Sequence, residues 1–254
     1  QGMDGRYTQI LKDGFPLYSG FSGGLGLLQI PPLDLKQVEI ITGATSTLYG
    51  GGAIAGIVNL VSKTPAKERE LRFLFNGTSA GGLDINGVYG QRFGKTGVTV
   101  YAARNSSAAY DPAGIGLSAI PEFERYTLNP KLFLYPNKKI EIVVGANATT
   151  ETRTGGDMDY TNGHGDSTHS YYERNTSQRI STQVELKYSF PNGSKLSLKN
   201  SFDHFDRVIK TPGYVFDGTQ SGTFSEVSYN IAGSGNEFVA GVNLLTSDFK
   251  ENVL

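Results

Sequence analysis

From about Glu70 onward, apolar and polar residues alternate with a period of two. Leu71, Phe73 and Phe75 are set against Arg72, Leu74 and Asn76. Leu83, Ile85, Gly87 and Tyr89 are set against Asp84, Asn86, Val88 and Gly90, and Val98, Val100 and Ala102 against Thr99, Tyr101 and Ala103. The pattern sharpens further along. Ile140, Ile142, Val144, Ala146 and Ala148 share one face. So do Ile180, Thr182, Val184, Leu186, Tyr188 and Phe190, opposite Ser181, Gln183, Glu185, Lys187 and Ser189. Alternation of this kind gives each strand one apolar and one polar face. Eight or nine such strands can be counted.

The connections alternate in length. Gly94–Gly97, Pro136–Lys139, Pro191–Ser194 and Gly233–Asn236 read as tight hairpin turns, with Gly, Asn and Pro where the backbone needs them. Ser106–Phe123, Glu151–Asn175 and Ile209–Thr223 read as long polar loops. Such an order predicts an up-and-down transmembrane β-barrel, with short turns at one end and long loops at the other. Gln178–Phe190 and Lys195–Val208 exceed the ~5–6 residues usual in a soluble sandwich. Phe93, Tyr135, Tyr188 and Phe190 flank the short turns, where an interfacial aromatic girdle belongs.

The first 65 residues follow a different rhythm. Gln9–Lys12 predicts a short strand, Asp13-Gly14 a tight turn, and Phe15–Gln29 a Gly/Ser loop tipped by Tyr18 and Phe21. Ile30-Pro31-Pro32 is stiff and extended. Leu33–Gln37 predicts one helical turn, Val38–Ile41 a strand, and Gly56–Ser62 another, with a Gly-rich uncharged stretch between them. The fold class is therefore mainly β: a small α/β segment, then antiparallel up-and-down transmembrane β-barrel strands, which the family resemblance given below implies to be an incomplete barrel.

Composition removes several function classes. Among 254 residues there is no Cys, so neither a disulfide framework nor a thiolate metal site is available. With 23 basic and 24 acidic residues, no electrostatic footprint for nucleic acid exists. No apolar run reaches the ~18 residues of a transmembrane helix, which leaves strand-built membrane proteins open. The opening QGMDGRYTQI shows no basic and apolar leader pattern. Gly50-x-Gly52-x-x-Ala55 matches a dinucleotide fingerprint by chance, because β-branched residues and a proline follow it instead of a long helix.

Val38-Glu39-Ile40, Gly43, Ser46, Leu48-Tyr49-Gly50, Ala53-Ile54, Gly56–Val61 and Lys63 resemble the plug signature of TonB-dependent outer-membrane receptors. Gly2, Arg6-Tyr7, Leu11, Asp13-Gly14, Pro16, Ile30-Pro31 and Leu35 fit the same plug in the same order. The resemblance divides the chain into residues 1–66, the late plug, and 67–254, the first eight or nine strands of a barrel that in this family has about 22. It implies a bacterial outer-membrane location and contact with membrane lipid. It also implies gated uptake driven by the TonB–ExbB–ExbD system, with a ferric siderophore or similar small chelate as cargo. Cobalamin and haem are the alternatives within the family, and a soluble β-rich adhesin or lectin-like domain is the alternative outside it. Gln1 and Thr42 stand where relatives carry arginines that pair with barrel glutamates.

The resemblance places the loop bearing Tyr18, Ser19, Phe21 and Ser22 at the outward plug apex, where rings suit a planar ligand. The competing reading is that Tyr18 and Phe21 simply pack beneath the barrel lid. Asp157, Asp159, His164, Asp166 and His169 share one polar loop, but their spacing fits neither a zinc nor an EF-hand pattern. No metal site, cofactor or catalytic set is assigned. His204 is expected in the lumen or the wall.

Overall fold

The computed structural model describes residues 8–17, 21, 23, 29–30, 32–42, 56–232 and 236–252. Two sheets organise them. The smaller holds β1 (Thr8–Lys12), β2 (Phe15–Pro16), β3 (Leu35–Thr42) and β4 (Gly56–Ser62), in the order β2-β1-β4-β3. β1 runs parallel to β4, and the other pairs are antiparallel. Asp13 and Gly14 both take positive φ, as a two-residue hairpin between β1 and β2 requires. Leu11 and Ile57 form the small core between β1 and β4. The expected helical turn at Leu33–Gln37 is instead a 3-10 turn over Pro32–Asp34, and β3 begins at Leu35. Pairing with Ser62 draws Leu35 into the ladder. The Gly-rich stretch 43–55, Gly2, Arg6, Tyr7 and the turn at 233–235 lie outside the described residues.

The larger sheet holds nine strands, each antiparallel to its sequence neighbours. They are β5 (Glu70–Gly77), β6 (Leu83–Phe93), β7 (Thr96–Ser107), β8 (Glu122–Asn137), β9 (Ile140–Gly156), β10 (Tyr172–Ser189), β11 (Lys195–Thr211), β12 (Tyr214–Ala232) and β13 (Glu237–Glu251). β5 and β13 are unpaired on their outer sides, so the sheet is unclosed. A single turn of helix, α1 (Met158–Thr161), sits in the connection after β9.

Burial across this sheet is inverted relative to a soluble protein. Glu151 and Arg179 are 1% and 2% exposed, and Asn129, Lys131, Asn175 and Ser177 are also buried. Phe73 and Ile180 are 63% and 53% exposed, with Leu128, Val144, Val184 and Val242 similarly bare. The polar face is therefore the inner one, covered by the small sheet, and the apolar face points outward. A soluble sandwich would bury the opposite face. A lipid-facing wall produces this arrangement directly.

The outward apolar band also runs obliquely. On β5 and β6 it centres on the paired residues Phe73 and Gly87. Following hydrogen-bonded partners from that pair leads through Ala102, Leu128, Ala148, Ile180 and His204 to polar Ser221 on β12. On β12 the apolar centre is Tyr229, flanked by Val227 and Ile231. That drift is about eight residues, roughly 26 Å along the strand over roughly 34 Å across the sheet at standard spacings. The strands therefore tilt by roughly 40° to the band, within the ~35–45° of membrane barrels.

Expectations about the wall change as well: the connection expected over Glu151–Asn175 shortens to 157–171, since β9 runs to Gly156 and β10 starts at Tyr172. Ile209–Thr223 is not a long loop: β11 and β12 continue through it, joined at Pro212-Gly213 alone. Its inner positions mix apolar Phe216 with small or polar Gly218, Gln220 and Gly222, and its outer ones lie beyond the apolar band, so the period-two contrast vanishes. Tyr188, Phe190 and Tyr229 form an edge-to-face aromatic cluster beside the short turns. Tyr135 stands apart from it, with the Arg92 guanidinium over its ring at 3.7 Å.

Candidate ligand face between the small sheet and the wall

The small sheet meets the inner face of the wall through three kinds of contact. The first is ionic. The Lys131 ammonium on β8 bonds the Asp13 carboxylate, whose other oxygen accepts from the Ser62 backbone N–H. Burial would push the Asp13 carboxyl up, but Lys131 and the Ser62 N–H more than reverse this and hold it below its ordinary value. Lys12 pairs with buried Asp34 at 2.8 Å within the small sheet. Lys199 on β11 reaches the Gly14 carbonyl and Glu226 on β12, both at 3.5 Å.

The second contact is a buried polar relay. Gln29 donates to Ser177 and accepts from Arg179 Nε at 3.2 Å, while the guanidinium lies 4.1 Å from the Phe205 ring centroid. The third is aromatic. Phe21 packs against Phe205, Phe216 and Phe249 at centroid distances of 5.5, 5.5 and 5.1 Å. Gly218 makes room for it, since a Cβ there would stand 3.1 Å from the Phe21 ring. Phe15 meets Phe224 edge-on at 6.1 Å, and Leu33 packs on Val88, Tyr101 and Ala103.

Of the four residues singled out on the apical loop, the structure therefore describes Phe21, engaged on the wall. Tyr18, Ser19 and Ser22 lie outside the described residues. Gaps remain between sheet and wall. One, of about 450 Å³, is lined by Asp13, Glu39, Asn59 and Lys63 on one side and Lys131, Glu141, Glu185, Lys187 and Lys199 on the other. The second, of about 190 Å³, lies near Gln29, Pro32, Tyr101 and Arg125. Nearby, Arg125 and Arg153 clamp the buried Glu151 carboxylate, so this inner-wall acid is paired by arginines of the wall itself.

The polar connection after β9 gathers three of its five candidate ligands. Asp157, Asp159 and His169 bring one donor atom each within 4.8 Å of the others. His169 Nδ1 lies 2.9 Å from Asp157 and 3.5 Å from Asp159. The hydrogen bond to Asp157 raises the His169 pKa and lowers that of Asp157. Asp157 also caps α1 through the Asp159 and Tyr160 N–H groups. Asp166 closes its own turn on Thr168 and His169, chiefly through the Thr168 hydroxyl, and is pulled down to about 2. The arrangement is an exposed ion pair that ties the loop together.

Cross-strand register also brings Ser221 to His204 and Asp206, which stand two positions apart on β11. His204 Nδ1 lies 2.8 Å from Ser221 Oγ, and Nε2 lies 3.0 Å from Asp206. His204 and Ser221 are direct partners on β11 and β12, which only the pairing reveals. The trio lies on the outward face, and Thr219 also donates to Asp206 at 2.7 Å. It is a cross-strand polar patch above the apolar band.

The TonB-dependent Receptor Plug Domain family model matches residues 1–57. The ferrioxamine receptor of Yersinia enterocolitica is 29% identical over 149 residues, covering 56% of this chain and 19% of that protein. The vitamin B12 transporter BtuB of Vibrio vulnificus is 32% identical over 60 residues, covering 24% of this chain and 10% of that one. In fold, the siderophore receptor PirA from Acinetobacter baumannii superposes with a TM-score of 0.77 at 18% identity, over 99% of this chain and 42% of that one. The chain thus spans a fifth or less of these curated relatives.

Proposed function

We infer, from the premise that the chain belongs to the TonB-dependent outer-membrane receptors, that it forms the gate and part of the wall of an uptake receptor for a ferric siderophore. Residues 1–66 supply the late plug and 67–254 the first strands of the barrel. The observation that carries this reading is the inverted burial: a polar inner face covered by a small sheet, and an apolar outer face tilted like a membrane barrel wall. The same observation speaks against a soluble adhesin or lectin, whose apolar faces would be buried.

The mechanism follows from the contacts. The plug is held by a few replaceable polar and aromatic contacts, not by a continuous apolar core. Work delivered through the TonB–ExbB–ExbD system would break contacts such as Asp13–Lys131 and Gln29–Arg179 and widen the charged gap beside them. Phe21 packs on the wall, and we assign Tyr18, Ser19 and Ser22 to contact with the cargo. A ferric siderophore is the cargo favoured by the family resemblance and by the receptor relatives, and cobalamin is the second reading, favoured by the B12 transporter match. Growth of a strain lacking the full receptor, on ferric siderophores, cobalamin and haem as separate supplies, tests this. Loss of growth on one siderophore supports the assignment. Lost use of cobalamin or haem with intact siderophore growth overturns it.

A further inference from the structure

The outward face of the wall carries a groove of about 790 Å³ that uptake does not explain. In the ladder row from Phe73 to Ile180, the bulky apolar pattern is interrupted by Gly87, Ala102 and Ala148. The Phe73 ring leans over Gly87, which a Cβ would approach to 3.4 Å. Ala102 and Ala148 thus form a floor between the exposed ridges of Phe73, Leu128 and Ile180. Two residues further along β7 to β10, towards the 108–121 and 157–171 connections, the lining turns polar with Arg104, Tyr126, Thr150 and Gln178, while Ile85 on β6 keeps it apolar beside Arg104. The Arg104 guanidinium bonds Glu124 at 2.7 Å through Nη2 and at 3.0 Å through Nε, with the Tyr126 hydroxyl 3.2 Å away. Among the described residues nothing bonds Nη1.

We propose that this groove seats an acyl chain of a phosphorylated outer-leaflet lipid, whose phosphate meets Arg104. The inference rests on the barrel reading above. The groove follows the polarity of such a lipid: an apolar floor at the depth of the hydrocarbon band, and a cationic, hydroxyl-bearing rim at its edge on the side of the long connections. Arginine forks match phosphate geometry and tolerate the interface better than lysine. Glu124 competes with the phosphate for the same guanidinium, so the site is tuned by its own neighbour. A protein partner is disfavoured, because it would have to satisfy the Arg104–Glu124 pair while filling a groove at hydrocarbon depth.

The test uses the full receptor, extracted in mild detergent, with lipid A and dephosphorylated lipid A as probes and native mass spectrometry as the readout. The parent should retain one lipid A. Ala148→Leu, which fills the floor, and Arg104→Gln, which removes the charge, should each lower that occupancy about tenfold, whereas Glu124→Gln should raise it. The heat-modifiable gel band of the folded barrel serves as the control for every variant. Equal retention of both probes overturns the proposal. So does unchanged occupancy in Ala148→Leu and Arg104→Gln with the folded band intact, or a receptor dimer that Ala148→Leu abolishes. Loss of the heat-modifiable membrane form in the parent itself would overturn the barrel reading, and the groove with it.

Discussion

At the scale of single residues, the plug–wall contact is carried by side chains whose partners lie more than a hundred positions away. Asp13 and Lys131 are one such pair. Lys131→Gln leaves a mostly buried carboxylate without its cation, and Asp13 is partly exposed, so the cost should be about 2 kcal/mol, less than for a fully buried pair. The sign of the pH effect is fixed by the lowered Asp13 pKa. Its contribution is present above the ordinary carboxylate range and is lost as pH falls through the lowered value. Urea unfolding of the full receptor should therefore show an acid transition that moves to higher pH in Lys131→Gln; an unmoved transition would remove Asp13 from the account. Phe21 is a second case. Phe21→Ala should lower stability by about 2 kcal/mol through the lost aromatic cluster, read as a reduced melting temperature. If siderophore affinity also falls while a Phe21→Leu variant restores stability but not binding, the ring touches cargo as well. The sequence singled out Phe21 as a loop-tip aromatic, for cargo contact or for packing beneath the lid, but not Phe205, Phe216 and Phe249, which are scattered over three strands and meet only through register. Gly218 was a faint signal of that approach.

At the scale of elements, the strands whose two faces differ in polarity were legible, and those without that contrast were not. β9 and β10 alternate cleanly over Ile140–Ala148 and Ile180–Tyr188, the parts whose outward positions lie inside the apolar band. β11 and β12 climb out of it, and the same period-two geometry then carries Asp206, Thr219 and Ser221 on the outside and Gly218, Gln220 and Gly222 on the inside. Pro212-Gly213 was the turn signal within that region. Of the plug strands β4 was legible at both ends, whereas the start of β3 read as a helical turn, and Gly56 shows what marks β4. It opens β4 with φ +136°, and an ideal Cβ there would collide with the Ile41 carbonyl oxygen. Gly56→Ala should therefore break the β3–β4 register, costing about 3 kcal/mol through forced strain, and expose the plug to limited proteolysis in the full receptor. Protease resistance equal to that of the parent would refute the steric argument. The connection after β9 gives a pH-dependent element. His169 has a raised pKa, so its share of the ion pair is present at low pH and lost as pH rises through that value. Asp157 has a lowered one, so its share is lost as pH falls through that value. The loop is thus tied between the two. The His169 imidazole titration, followed by NMR or by pH-dependent loop proteolysis, should return towards the ordinary histidine value in Asp157→Asn.

At the scale of the whole molecule, the inverted burial and the oblique band are one fact seen twice: the wall has a polar lumen and stands tilted in a hydrocarbon layer. The tilt was not legible in the sequence, because no strand alone records how its neighbours are staggered. It emerges from the hydrogen-bond register, and it makes a prediction that a band running level with the ladder would not. Leu128 and Ser221 belong to one row of partners, linked through Ala148, Ile180 and His204. Were the row parallel to the membrane, arginine would be equally unwelcome at both positions. With a tilt of roughly 40°, Leu128 lies within the apolar band and Ser221 above it. Leu128→Arg should then cost about 2–4 kcal/mol, as for a lipid-facing charge near mid-depth, and Ser221→Arg about 0–1 kcal/mol. Urea titration of the full receptor folding into lipid vesicles measures both. Equal costs would show that the band follows the ladder, and the strand tilt read from the register would be wrong. A large cost at Leu128 alone requires the band to cross the strands obliquely, as a barrel wall in a membrane does.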